Sequence, residues 1–288
     1  MTIKEVFIVG AGLMGSGIAQ VCAQAGINVK LNDVSDEALA KGMKSISWSV
    51  AKFVEKGKLS EDHETILNRI QTTTDISEAA QADIAIEAVF ENLEVKQGVF
   101  QKFDTFCKPG AVLATNTSAI AITEMGAVTH RADKVIGLHF FSPVPMMPLV
   151  EVVKGISTSE ASMETGVSFV KKIGKESIRV ENDVPGFLMN RINLISYVEA
   201  IHLLEKGIGT VEDIDKGVRL AFGRKMGPFE TGDMVGLDVS FGGLTAIYNE
   251  TQDIRYYPPQ LLRRKVKAKQ LGRKTGKGWY EYDGNKPK

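Results

Sequence analysis

A glycine-rich turn between an apolar run and a helical pattern is the first place in this chain where residue type and spacing specify chemistry. Gly10-Ala11-Gly12-Leu13-Met14-Gly15 follows Val6-Phe7-Ile8-Val9 and opens the pattern Ser16 to Ala25, which Gly26 closes. Glycines at that spacing permit a tight turn, let a pyrophosphate approach the backbone, and allow close packing of helix on sheet. The helix N-terminus then offers N–H groups to the phosphates. Asp33 ends the next apolar run about twenty residues on, where a carboxylate accepts hydrogen bonds from the adenine ribose and repels a 2′-phosphate. The combination points to a dinucleotide, NAD rather than NADP; a glycine turn without a ligand is the plain alternative.

Open α/β sheets bind ligands beyond the carboxyl ends of their strands, so residues just past each apolar run come next. Asn116-Thr117-Ser118 follows Ala111 to Ala114, and His139 follows Val135 to Leu138. His63 and His130 lie among polar residues and His202 sits in a helical pattern, which leaves His139 as the histidine placed to act as a base. On position alone a core histidine fits equally well. Glu151 shifts the balance, because it interrupts Leu149-Val150-Glu151-Val152-Val153, and a carboxylate in such a run is costly unless paired. The connection between them holds Pro143, Pro145 and Pro148, and an imidazole–carboxylate pair across it is geometrically open. Such a carboxylate fixes the tautomer and favours the imidazolium formed when histidine takes a proton. A salt-bridged glutamate at a sheet edge is the other reading.

Asn190 shares the face of a predicted helix with Phe187, Leu194, Val198 and Ile201. That face should bury, so the amide needs partners, from a ligand, from the first domain or from nearby backbone. Ser49, Lys52 and Lys56 share a helical face that could meet an acidic, phosphate-bearing substrate; a solvated lysine face is the commoner meaning of the pattern. The stretch Gly272-Arg273-Lys274-Thr275-Gly276-Lys277-Gly278-Trp279 could bring Lys274 to a cofactor phosphate, or form a basic loop before the last strand.

The elements that must position these residues alternate. Apolar runs and helical patterns interleave through the first half, the signature of βαβ units on a parallel sheet. The strands expected are Glu5 to Val9, Val29 to Asn32, Ile84 to Val89, Ala111 to Ala114, Val135 to Leu138 and Leu149 to Val153. After about Val180 helical periods dominate, and Asp183-Val184-Pro185-Gly186 breaks the chain between the two regimes. The reading is an α/β chain with a Rossmann-like dinucleotide-binding domain over 1–184 and an all-α domain over 185–288.

The 288 residues carry 35 Lys+Arg against 35 Asp+Glu, a zero net charge that argues against nucleic acid or an anionic membrane as partner. No run reaches the roughly 20 apolar residues of a spanning helix, and the first residues lack the order of a secretory signal. Cys22 and Cys107 have neither metal-knuckle nor redox spacing. The expectation is a cytoplasmic protein with free thiols and no bound metal.

Taken together, GAGLMGSGIAQ at 10–20, EAVFENLEVK at 87–96, NTSAIAITE at 116–124, GLHFFSPVP at 137–145, VEVVKG at 150–155, PGFLMNR at 185–191 and LGRKTGKGWYEY at 271–282 span the chain in order. In these runs the chain resembles the short-chain (S)-3-hydroxyacyl-CoA dehydrogenase family, in particular its bacterial members acting on 3-hydroxybutyryl-CoA. The resemblance implies a Rossmann-like domain followed by a helical dimerisation domain, NAD as cofactor and an acyl-CoA thioester as substrate. It implies that His139 is the base, Glu151 its partner, and that Ser118 and Asn190 contact the reacting part of the substrate. Asp33, Glu91, Lys96 and Lys274 fall on positions that contact NAD in the family, and Lys52 and Lys56 match basic positions facing the CoA moiety. One position departs: the family usually has Asn where this chain has Ser142, a shorter polar group near the nicotinamide.

Two other readings are open. Dehydrogenases of free 3-hydroxy acids also join a Rossmann domain to helices, but typically use a lysine base, against which the His139/Glu151 pair argues. A non-catalytic, crystallin-like NAD binder would have no need of His139, Glu151, Ser118 and Asn190.

Overall fold

The computed structural model describes residues 3–284 and the backbone of 286 and 287. The chain divides into two compact units, Met1–Val184 and Pro185–Lys288.

The first unit is an eight-stranded sheet in the order β3-β2-β1-β4-β5-β6-β7-β8. Its strands are β1 (Glu5–Val9), β2 (Asn28–Asn32), β3 (Ile70–Thr73), β4 (Ile84–Glu87), β5 (Val112–Thr115), β6 (Val135–Phe140), β7 (Leu149–Lys154) and β8 (Glu176–Val180). The helices are α1 (Leu13–Gln24), α2 (Asp36–Glu55), α3 (His63–Leu67), α4 (Leu93–Phe106), α5 (Ile122–Gly126) and α6 (Glu160–Lys172). Strands β1 to β6 are mutually parallel, and the apolar runs of the central β1, β4, β5 and β6 are buried on both faces, as helices on either side of a parallel sheet require. Strand β7 returns antiparallel to β6. The connection 141–148 is shorter than the dozen or more residues that a parallel crossover needs, so antiparallel return is the closure open to it.

Strands β3 and β8 are absent from the sequence expectation, for a common reason. Both are edge strands with a water-facing side, so Ile-Gln-Thr-Thr and Glu-Ser-Ile-Arg-Val lack a continuous apolar run. The strand expected to stop at Leu138 continues through His139 to Phe140, which puts the histidine inside β6 rather than beyond it.

The second unit holds α7 (Met189–Glu205), α8 (Val211–Phe222), α9 (Pro228–Val235), α10 (Leu237–Thr251) and α11 (Gln260–Lys267). Its core gathers Leu194, Val198, Ile201, Phe229, Leu244 and Trp279. It is not wholly helical, since β9 (Tyr282–Asp283) and β10 (Lys286–Pro287) pair antiparallel. Phe187, expected on the helix of Asn190, precedes α7 and has φ 45°. Buried Asp233 pins the C-terminal segment, accepting from the Trp279 and Tyr280 N–H groups and the Tyr282 hydroxyl, each at 2.9 Å. Among the described residues no helix is long and apolar enough to cross a membrane.

Candidate active site

The parallel strands deliver their carboxyl ends to one edge of the first unit, and the glycine turn lies there between β1 and α1. Gly10 has φ 105°, and a Cβ on it would lie 2.5 Å from the Ala88 carbonyl oxygen. A Cβ on Gly15 would lie 1.8 Å from the Gly10 carbonyl oxygen, so the turn closes on itself only with glycine there. Gly12 differs: a Cβ on it would meet no protein atom within 4 Å. Close packing does not demand that glycine, whereas approach of a ligand to the backbone does.

Helix α1 follows Gly12 and has no side-chain cap, as is also true of the short α5, whereas Ser35, Asp62, Asn92 and Ser159 cap α2, α3, α4 and α6. The uncapped N–H groups around Leu13 and Met14 are a fit for phosphate oxygens. Asp33 follows β2, and its Oδ2 accepts from the Ala11 N–H at 2.8 Å, tying the carboxylate to the turn. The residues present therefore fit a dinucleotide.

Across the sheet, His139 and Glu151 are paired in register on β6 and β7. The His139 Nδ1 lies 2.6 Å from Glu151 Oε2, and the glutamate is fully buried. With Glu151 ionised, Nδ1 carries the proton and donates it, so Nε2 is the ring nitrogen able to take another. The Phe141 ring packs 4.7 Å from the imidazole, centroid to centroid. The Asn116 Oδ1 accepts from the Phe140 N–H at 3.0 Å, tying the end of β6 to the loop after β5. Ser142 is exposed on the connection 141–148, which Lys175 Nζ anchors by donating to the Val144 and Met147 carbonyls at 2.7 and 2.6 Å.

Ser118 sits half-buried on the loop after β5. Its N–H and that of Ala119 donate to Glu91 Oε1 at 3.0 and 3.1 Å, and Thr117 Oγ1 donates to the same oxygen at 2.5 Å. Burial pushes the Glu91 carboxyl up, but the Lys96 ammonium and the Thr117 and Ser118 hydrogen bonds outweigh it and hold it below its ordinary value. Lys96 turns inward: it is 1% exposed, with its ammonium on the carboxylates of Glu87 and Glu91. Glu87 is absent from the sequence reading. Its signal is akin to that of Glu151: a carboxylate directly after the apolar run Ile84-Ala85-Ile86 and before Ala88-Val89.

Ser49 and Lys52 lie on α2 and Lys56 caps its C-terminus. They are roughly 20 to 30 Å along the axis from the start of that helix, at 1.5 Å per residue. Lys52 pairs with Glu55 at 2.7 Å. In the second unit Asn190 lies half-exposed in the first turn of α7, and Lys274 Nζ lies 2.6 and 2.7 Å from the two Asp238 oxygens.

Known proteins resemble the chain along nearly its whole length. Residues 5–184 match the NAD binding domain of 3-hydroxyacyl-CoA dehydrogenase, and residues 186–282 match its C-terminal domain. The chain is 42% identical over 284 residues to a probable 3-hydroxybutyryl-CoA dehydrogenase of Bacillus subtilis, covering 98% of this chain and 99% of that protein. It is 40% identical over 288 residues to the mitochondrial hydroxyacyl-coenzyme A dehydrogenase of Rattus norvegicus, covering 97% of this chain and 91% of that one. The crystal structure of (S)-3-hydroxybutyryl-CoA dehydrogenase from Ralstonia eutropha superimposes with a TM-score of 0.94 at 41% identity, covering 98% of this chain and all of that one.

Proposed function

Because the chain belongs to the 3-hydroxyacyl-CoA dehydrogenase family, we propose that it interconverts short-chain (S)-3-hydroxyacyl-CoA, foremost 3-hydroxybutyryl-CoA, and the 3-oxoacyl-CoA, with NAD as cofactor. The observation that carries the reading is the buried His139–Glu151 pair at the same sheet edge as a glycine turn fitted to a dinucleotide. In oxidation His139 Nε2 takes the proton of the 3-hydroxyl, while Glu151 holds Nδ1–H and stabilises the imidazolium as it forms. Bound in the turn of Gly10 to Gly15, NAD would supply the hydride acceptor for C3. In reduction the same imidazolium returns the proton to the carbonyl oxygen. Ser118 and Asn190 orient that oxygen and offer hydrogen bonds to its developing charge. Gly10 to Gly15 and Asp33 hold the pyrophosphate and ribose, and Glu91, Ser142 and Lys274 complete the cofactor set; Lys96, expected to reach the cofactor, is 1% exposed with its ammonium on Glu87 and Glu91, and serves by holding Glu91 instead. Ser49, Lys52 and Lys56 serve the phosphate-bearing carrier of the thioester, to which basic groups on one helical face are suited.

The second unit leaves Leu220 76% and Phe222 73% exposed at the end of α8. Apolar side chains of that size at one helix end favour a second copy as their cover, so the enzyme acts as a homodimer through this unit. Cys22 and Cys107, both buried thiols, suit a reducing cytoplasm.

The test is NADH oxidation with 3-oxoacyl-CoA thioesters of increasing chain length, and with the free 3-oxo acids as controls. Turnover should be highest with the four-carbon thioester and negligible with free acids. Preference for a free acid would favour a dehydrogenase of 3-hydroxy acids instead.

A further inference from the structure

One closed circuit of hydrogen bonds joins the ends of β4 and β5 beneath the Ser118 loop. Lys96 Nζ lies 2.8 and 3.0 Å from the two Glu87 oxygens and 3.2 Å from Glu91 Oε2. Glu87 Oε2 also accepts from Thr115 Oγ1 at 2.7 Å, and that hydroxyl oxygen accepts from the Thr117 N–H at 3.1 Å. Thr117 Oγ1 donates to Glu91 Oε1, whose partner oxygen leads back to Lys96. Glu87, Lys96, Thr115 and Thr117 are all buried. A buried ion pair seldom stabilises a fold more than apolar side chains of equal volume, so its presence calls for an account other than stability.

What the circuit holds is a loop. Glu91 Oε1 receives the N–H groups of Ser118 and Ala119, and Thr117 Oγ1 receives that of Ile120 at 3.0 Å. The backbone on both sides of the Ser118 hydroxyl is thereby fixed from below. We infer that Glu87 is a positioning residue for the reaction: through Lys96 and Thr115 it holds Glu91 and Thr117 in the arrangement that aims the Ser118 hydroxyl at the reacting oxygen. The inference rests on the role given to Ser118 above. Glu87 touches neither substrate nor cofactor in this scheme; its Oε1 also accepts from the Val89 N–H at 2.7 Å, so the share of its effect that passes through the Ser118 loop is what a mutant cycle must isolate.

A double-mutant cycle separates this role from a general structural one. Glu87→Gln and Thr115→Val are each made alone and with Ser118→Ala, and kcat is measured with NADH and 3-oxobutyryl-CoA. Each variant alone should lower kcat by about tenfold, and far less once the Ser118 hydroxyl is gone. Hydrogen exchange at the Ser118 and Ala119 amides should quicken in both single variants of the ligand-free protein. Equal loss with and without the hydroxyl, or unchanged exchange at those amides, overturns the inference. A Ser118→Ala enzyme as active as the parent overturns the underlying reading of Ser118 instead. Thr115→Val strips one hydroxyl and leaves Lys96 paired, so it carries the test if the Glu87→Gln protein does not fold.

Discussion

Glu151 and His139 face each other across an antiparallel strand pair, with the carboxylate oxygen 2.6 Å from the imidazole Nδ1. The register makes them direct partners, so the orientation of the ring is set by the sheet and not by a mobile side chain. Replacing Glu151 with Gln keeps the volume but removes the charge, and its amide can present a donor to Nδ1 and stabilise the wrong tautomer. The kcat should fall by about 10² to 10⁴, the scale of acid–base assistance, while NADH affinity is retained. A folded Glu151→Gln enzyme with full activity would sink the catalytic pair.

Gly12 and Gly15 of the turn should respond oppositely to alanine. A methyl on Gly15 would sit 1.8 Å from the Gly10 carbonyl oxygen, so Gly15→Ala should lower Tm sharply even without ligand. A methyl on Gly12 has no protein neighbour within 4 Å, so Gly12→Ala should fold with nearly the parental Tm and bind NADH much more weakly. Thermal melts beside fluorescence titration decide it. Parental NADH affinity in Gly12→Ala would remove the pyrophosphate from that space.

Asp33 has two tasks, and Asp33→Ser should separate them. The carboxylate proposed to discriminate against a 2′-phosphate also accepts the Ala11 N–H at 2.8 Å. Efficiency with NAD should therefore fall, and the ratio of NAD to NADP efficiency should fall further as repulsion is relieved. An unchanged ratio places the ribose elsewhere.

Acid should loosen the Ser118 loop. Lys96 and the loop hydrogen bonds hold the Glu91 carboxyl below its ordinary value against its burial, so it stays ionised in the fold where the unfolded chain has taken up a proton. That contribution to stability is complete above the ordinary glutamate range and is lost as pH falls through the lowered value. In Glu91→Gln the decline of unfolding free energy on the acid side should be shallower than in the parent. Superimposable acid limbs would show that the circuit does not stabilise the ionised carboxylate.

Much of the site is legible before any fold is known, because its signals are local. A glycine pattern between a strand and a helix restricts the backbone there, and Asp33 follows at the end of the next strand. A carboxylate inside an apolar run announces a need for a partner, and Glu151 does so. Glu87 sends a similar signal from the end of β4, which shows that the rule extends to a residue the sequence reading passed over. Lys96 shows where such reading stops. A lysine on the amphipathic helix α4 has the pattern of a surface group, yet it is 1% exposed, because the buried carboxylate of Glu87 at the β4 end meets it inside and that of Glu91 closes over it from the following loop.

By itself the sequence determined the alternation of strand and helix, the glycine turn, and the breaker at Asp183 to Gly186, each the product of a few neighbouring residues acting on their own backbone. The tertiary structure decided which strands are neighbours and in what register. Only the antiparallel return of β7 makes Glu151, and not Val150 or Val152, the residue opposite His139. Only the order β1-β4-β5-β6 brings the ends of β4 and β5 side by side, so that Glu87 can bond Thr115 and Glu91 can cap the Ser118 loop. Strand order and register are settled by packing both sheet faces at once, over separations that no local pattern spans.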